Sequence, residues 1–162
     1  MATCTFFGHR ECPDNIRPKL HSVLIDLIEN QQVNTFYVGR QGSFDALVYA
    51  ALRALAAEYP HIRYAAVLER LPGKNTDDFT ETLFPEVMEN VPPRFAIDRR
   101  NNWMLQQADF VVVYVTHDWG GSTWSVGLRA STSCMTAIRS VLRSRSWCLR
   151  AVLGDGPQSL HR

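Results

Sequence analysis

The chain has 162 residues, enough for one domain with a sizeable core and short for two. Hydrophobic residues make up 46% and charged residues 20%, which excludes a disordered or collagen-like chain. A net charge of +1 gives no strong field that would point to nucleic acid or a membrane surface.

The first residues, MATCTFFGHR, lack the basic segment and long apolar core of a secretory signal. No apolar run approaches the roughly 20 residues of a membrane-spanning helix. A cytoplasmic protein is expected, with no membrane partner. Cysteines 4, 12, 134 and 148 show neither C-x-x-C nor zinc spacing, so free thiols are expected and no metal site.

Residues 3–7 read as a short buried strand. Apolar positions 16, 20, 23, 24, 27 and 28 recur at helical spacing and predict a helix over 16–28. Asn34 to Val38 reads as a strand rich in aromatic and β-branched residues. Ser43 is a candidate cap for the next helix, with Asp45 in its first turn against the positive helix end. That helix, rich in Ala and Leu, is expected to reach about Tyr59, before Pro60. A third strand is expected over 63–68.

Residues 69–97 differ in character, with four prolines, six acidic and three basic residues. They read as a lid over a ligand crevice, with a short helix near 80–90. Asp98 reads as the cap of a helix to about Gln107, followed by a strand over 109–115. Strands alternating with helices predict a Rossmann-like, doubly wound, mainly parallel sheet in a three-layer α/β/α arrangement. The four strands, numbered along the chain, are expected in the order 3-2-1-4, with a possible fifth.

Three of these strands break into glycine and polar residues: Gly8-His9-Arg10, Gly39-Arg40-Gln41-Gly42-Ser43, and His117-Asp118-Trp119-Gly120-Gly121. In a parallel sheet all three breaks lie along one edge. With order 3-2-1-4 the first and third flank the switch point where open α/β sheets bind ligands. The helix from Ser43 aims its positive end there, which suits a phosphate. Arg10 and Arg40 add cations that fork onto phosphate oxygens. The helix from Asp98 starts at the same edge and brings Arg100 and Asn101. Trp103 either stacks on a base or closes the core beneath.

The expected ligand-binding residues are therefore Gly8, His9, Arg10, Gly39, Arg40, Gln41, Gly42, Ser43, Arg100, Asn101, His117, Asp118, Gly120 and Gly121. No cofactor is expected beyond a nucleotide-like ligand, and no catalytic residue can be singled out. Each piece also has a plain structural reading. Glycine at a strand-to-helix turn is commonly turn chemistry. The plain reading of Arg99 and Arg100 is that they pair with acidic residues of the 69–97 segment. There is neither G-x-G-x-x-G nor a Walker A motif.

The stretches TCTFFGHR, TFYVGRQGSFDALVYAALRAL and ENVPPRFAIDRRNNWMLQQADFVVVYVTHDWGG resemble the YpsA-like family of the SLOG superfamily. That superfamily also holds the DprA DNA-processing proteins and the LOG phosphoribohydrolases. The resemblance spans residues 3–121 and implies a Rossmann-like sheet with a nucleotide-derived ligand at the strand C-terminal ends. The clustered glycines and arginines at one edge, without a clear catalytic carboxylate, lead to the expectation of a binding or sensor protein. The alternative is a LOG-like nucleotide or nucleotide-sugar hydrolase using Asp118 or Asp45. LOG enzymes carry P-G-G-x-G-T and a following glutamate. Here Trp119-Gly120-Gly121-Ser122-Thr123 has no proline, and no acidic residue follows until Asp155. A DprA-like nucleic-acid role fits poorly, because residues 1–121 carry 11 basic and 15 acidic residues.

Residues 1–121 are thus expected to form the Rossmann domain core, and 122–162 an atypical continuation of it. The latter hold eight serines and six arginines but no lysine or glutamate. This change resembles a shifted reading frame, with a divergent tail as the alternative. Read in frame, it predicts a helix across about 124–143 and a strand at 147–153. Flanking helices leave room for a homo-oligomer, without a legible patch.

Overall fold

A computed structural model of the chain describes residues 1–71, 81–115, 134–143 and 146–151. The first strand, β1, spans Ala2–Gly8, and after a 3-10 turn at Asp14–Ile16 helix α1 spans Arg17–Glu29. Strand β2 is Val33–Val38, helix α2 Ser43–Glu58 and strand β3 Arg63–Val67. A two-residue strand β4, Thr82–Leu83, precedes 3-10 turns at Glu86–Met88 and Pro93–Phe95. Helix α3 is Ala96–Gln107 and strand β5 Phe110–Val115. Strands β6, Cys134–Arg143, and β7, Ser146–Ala151, complete the sheet.

The sheet order is β4-β3-β2-β1-β5-β6-β7. The first five strands of that order are mutually parallel, and β6 and β7 are antiparallel additions. The inner order β3-β2-β1-β5 is the expected 3-2-1-4. The fold is the expected Rossmann-like, mainly parallel, three-layer arrangement.

Side-chain alternation along the strands builds the layers. Cys4 and Phe6 of β1, Phe36 and Val38 of β2, and Phe110, Val112 and Tyr114 of β5 share one core with Leu20, Leu24 and Leu27 of α1 and with Phe44, Val48 and Leu52 of α2. Their neighbours point the other way. Phe7, Val67, Val111 and Val113 form a second core with Met104 and Leu105 of α3. Thr5 is fully buried, and its hydroxyl is satisfied by donating to the Tyr37 carbonyl at 3.0 Å.

Four expectations need correction. The helix expected across 124–143 is not formed over 134–143, which pair as β6 with β5. The β-branched and small residues that weaken a helix there are tolerated in a strand. The short helix near 80–90 is reduced to β4 and one 3-10 turn, because Pro85 cannot continue a ladder or a helix interior. Asp98 lies in the first turn of α3 rather than at its cap, which Phe95 occupies. The cap of α2 is Gly42, and Ser43 is its first helical residue. Among the described residues no helix is long and apolar enough to cross a membrane.

Candidate functional site

Parallel pairing places the ends of β1, β2, β3 and β5 along one edge of the sheet. The chain passes β1, β2 and β3 in one direction and then returns to the other side of β1 with β5. The reversal lies between β1 and β5, so Gly8, His9 and Arg10 stand at the switch point. Gly39, Arg40, Gln41, Gly42 and Ser43 follow β2 beside them. His117, Asp118, Gly120 and Gly121 lie outside the described residues.

The three glycines here share close approach between neighbouring segments of the chain. A side chain at Gly8 would run into the ring of Phe44, which stacks on Tyr114 with centroids 5.7 Å apart. A β-carbon at Gly39 would sit 2.6 Å from Asp45 Oδ2 and 3.2 Å from an Arg100 nitrogen. At Gly42 it would meet the Arg10 backbone, 2.8 Å from the carbonyl oxygen. Gly42 has φ −177°, extended backbone that any residue adopts, so space rather than conformation requires glycine there.

Ser43 ties the two loops together. Its N–H and its hydroxyl both donate to the Arg10 carbonyl at 2.8 Å, and its hydroxyl accepts the Cys12 N–H at 2.7 Å. The N–H at the start of α2, expected to face an anion, is therefore taken by the neighbouring loop. The Gln41 N–H donates to Asp45 Oδ2 at 2.9 Å. These bonds hold Arg10, which is exposed, and Arg40 at the same edge.

Beneath them lies a buried charge cluster. Arg100 is 3% exposed, and its Nε and one terminal nitrogen donate to Asn101 Oδ1 at 3.2 and 2.9 Å. Its other terminal nitrogen reaches Glu69 Oε2 at 3.4 Å. Arg40 reaches Glu69 Oε1 at 3.6 Å. Burial pushes the Asp45 carboxyl up from its ordinary value, opposed by the Gln41 N–H and Arg100 and reinforced by Glu69. Burial likewise lowers the Arg100 guanidinium, opposed by Asp45 and Glu69.

The expected residues thus separate by depth. Arg100, Asn101 and His9 are buried and form the floor, while Arg40 and Arg10 stand nearer solvent. Arg99 and Asn102, their neighbours on α3, face outward. Trp103 packs against the second core, its ring 5.3 Å from Tyr37, which supports closure of the core rather than base stacking.

Two residues of the cluster were missing from the expected set. Asp45 reads in sequence as a helix-start residue, and that role hides its approach to Arg100. Glu69 was assigned to the segment beyond the third strand. It follows Leu68 at the same edge as the other breaks, so the edge rule applied to β3 would have found it. The pairing of Arg100 with the 69–97 segment, its plain structural reading, is seen at Glu69.

Of the segment expected as a lid, residues 72–80 lie outside the described residues. Strand β4 pairs on the outer side of β3, away from the switch point, and the Glu81 N–H donates to the Tyr49 hydroxyl at 2.8 Å. A cleft of about 710 Å³ opens at the opposite, N-terminal edge of the sheet, between residues such as Asn30, Asn34, His61 and Asp109. Its lining includes neither Arg nor Lys, which makes it a poor match for a phosphate. Among the described residues no group of three or more His, Cys, Asp and Glu is placed to hold a metal ion.

No family model matches the chain, and no curated protein matches it. The fold and this edge define an α/β protein whose candidate site is an arginine–carboxylate cluster at the C-terminal edge of the sheet, beyond β2 and β3.

Proposed function

We propose that the protein binds a nucleotide-derived, phosphorylated ligand at the C-terminal edge of its sheet, as a cytoplasmic binding or sensor protein of the YpsA-like kind. One observation carries this reading. Arg40 from the β2–α2 turn and Arg100 from α3 converge on Glu69 at the C-terminal edge of the sheet, beyond the ends of β2 and β3. A buried cation such as Arg100 is costly, and a fold that needs only a core has no use for one, with a half-buried Arg40 beside it, at this edge. Arg10, on the loop clamped to Ser43, adds a third cation near the mouth.

Calorimetric titration with AMP and adenosine tests the reading. Arg40→Ala and Arg10→Ala should each weaken AMP by roughly tenfold to a hundredfold, the loss of one charge-assisted contact. Adenosine should bind weakly and respond little to either change. AMP and adenosine binding alike in all three proteins would end the phosphate reading.

A hydrolytic reading draws on Asp45, whose raised carboxyl suits a general acid toward a leaving base. Release of base from AMP by the pure protein, abolished in Asp45→Asn, would establish it.

A further inference from the structure

We propose that Glu69 is a built-in counter-anion of this site: its carboxylate occupies the place on Arg40 and Arg100 that a ligand phosphate takes, and so sets which anions the site accepts. The inference rests on the phosphate reading above and adds to it the residue that governs selectivity.

Each Glu69 oxygen faces a different arginine, Oε1 toward Arg40 at 3.6 Å and Oε2 toward Arg100 at 3.4 Å. Both separations exceed the roughly 2.7–2.9 Å of a well-made charge-assisted bond. The carboxylate therefore bridges the two cations loosely. With all four groups ionised, Arg40, Arg100, Asp45 and Glu69 sum to zero charge. Glu69 therefore competes with an incoming anion for the same two arginines.

The surroundings allow Glu69, rather than Asp45, to leave. The two carboxylates are about equally covered, Asp45 at 9% and the Glu69 side chain at 10% exposed, but Asp45 is tied to the Gln41 N–H at 2.9 Å. Glu69 sits on the residue after Leu68, whose N–H is anchored to the Leu83 carbonyl at 2.8 Å. Rotation of one side chain would release the carboxylate to water, with no change in the strand. Arg100 stays held from its other side by Asn101.

Displacement sets a threshold. A phosphate monoester brings up to two negative charges and three acceptor oxygens, enough to bind both arginines in place of one carboxylate. A nucleoside brings no charge and leaves Glu69 where it is. The site thereby favours phosphorylated over unphosphorylated forms of the same compound.

The test is titration of AMP and adenosine into wild type, Glu69→Gln, Arg40→Ala and the double variant, each checked for folding by thermal melt. Glu69→Gln should bind AMP about tenfold more tightly than wild type, because the competing anion is gone. The gain should shrink in the Arg40→Ala background, and adenosine should bind equally to all. Should Glu69→Gln fail to fold, Glu69→Asp retains the charge but draws the carboxylate back by one methylene. It should tighten AMP in the same direction by a smaller factor. If Arg40→Ala weakens AMP but neither Glu69 variant binds it more tightly than wild type, the counter-anion role is overturned and the phosphate site stands. If no folded variant binds AMP, both fall.

Discussion

Ser43 and Arg10 are joined twice, since the backbone N–H and the hydroxyl of Ser43 both donate to the Arg10 carbonyl at 2.8 Å. This double bond between loops explains the neighbouring glycine. Gly42 carries no side chain because the Arg10 backbone passes through the space one would fill. The glycine breaks at this edge therefore serve first to bring the loops together. Any ligand meets the edge that results.

Gly42→Ala should accordingly destabilise the fold. Its φ suits alanine, so the loss comes from steric overlap with a backbone that cannot swing aside. About 1–3 kcal/mol is expected, the usual cost of overpacking. Ser43→Ala removes one hydroxyl that both donates and accepts, and should cost about 1–2 kcal/mol. Urea midpoints measure both. A Gly42→Ala midpoint equal to wild type would show that the Arg10 loop yields freely.

Arg100 and Arg40 should part company in stability. Arg100→Ala would leave Asp45 and Glu69 with a cavity and without their buried counter-charge. Breaking a buried pair on one side costs about 3–5 kcal/mol. Arg40 is 19% exposed and reaches Glu69 at 3.6 Å, so its removal should cost roughly 1 kcal/mol. Denaturant unfolding of the two variants separates these values. Equal losses would mean that Arg40 shares the structural role of Arg100.

The layers were legible because FVVVY and CTFF are short apolar runs rich in β-branched and aromatic residues, and the turn residues that bound them mark the crossovers. The cluster of arginines at one edge was legible for the same reason, as topology alone places strand ends together. Glu69 was overlooked because it was grouped with the acidic residues of 69–97, although its place just beyond β3 sets it apart from them. Its importance arises from a pairing with Arg40 and Arg100 that spans 29 and 31 positions of sequence. What Gly8, Gly39 and Gly42 make room for was not legible for a related reason. A glycine's vacancy is legible in sequence, but what fills it is a tertiary fact. Strand β6 was missed because an apolar stretch with scattered serines matches neither period cleanly.

Gln32 offers a gain in stability. It has φ 55°, a left-handed backbone, in the turn between α1 and β2, and its side chain is exposed. An ordinary residue pays roughly 1–2 kcal/mol there and glycine does not. Glycine also loosens the unfolded chain, which takes back about 0.4–1 kcal/mol. Gln32→Gly should therefore stabilise by about 0.5 kcal/mol, a rise in Tm of roughly 1–2 °C. A thermal melt checks it, and Gln32→Pro should be strongly destabilising, because proline cannot adopt that φ.

Asp45 should make stability depend on pH in a direction opposite to that of a salt-bridged surface aspartate. Its folded carboxyl is raised, chiefly by burial. The folded protein therefore retains a proton at pH values where the unfolded chain, with an ordinary aspartate near about 3.9, has released it. The contribution of that proton is fully present below the unfolded value and is lost as pH rises through the folded one. Asp45→Asn cannot titrate, yet keeps an oxygen that accepts the Gln41 N–H. Other carboxylates titrate alike in both proteins and cancel in the difference. Urea unfolding at a series of pH values should thus show wild type losing stability relative to Asp45→Asn as pH rises from about 4 toward neutrality. A constant difference would mean that Asp45 has the same affinity for its proton folded and unfolded, and that Arg100 compensates fully for its burial.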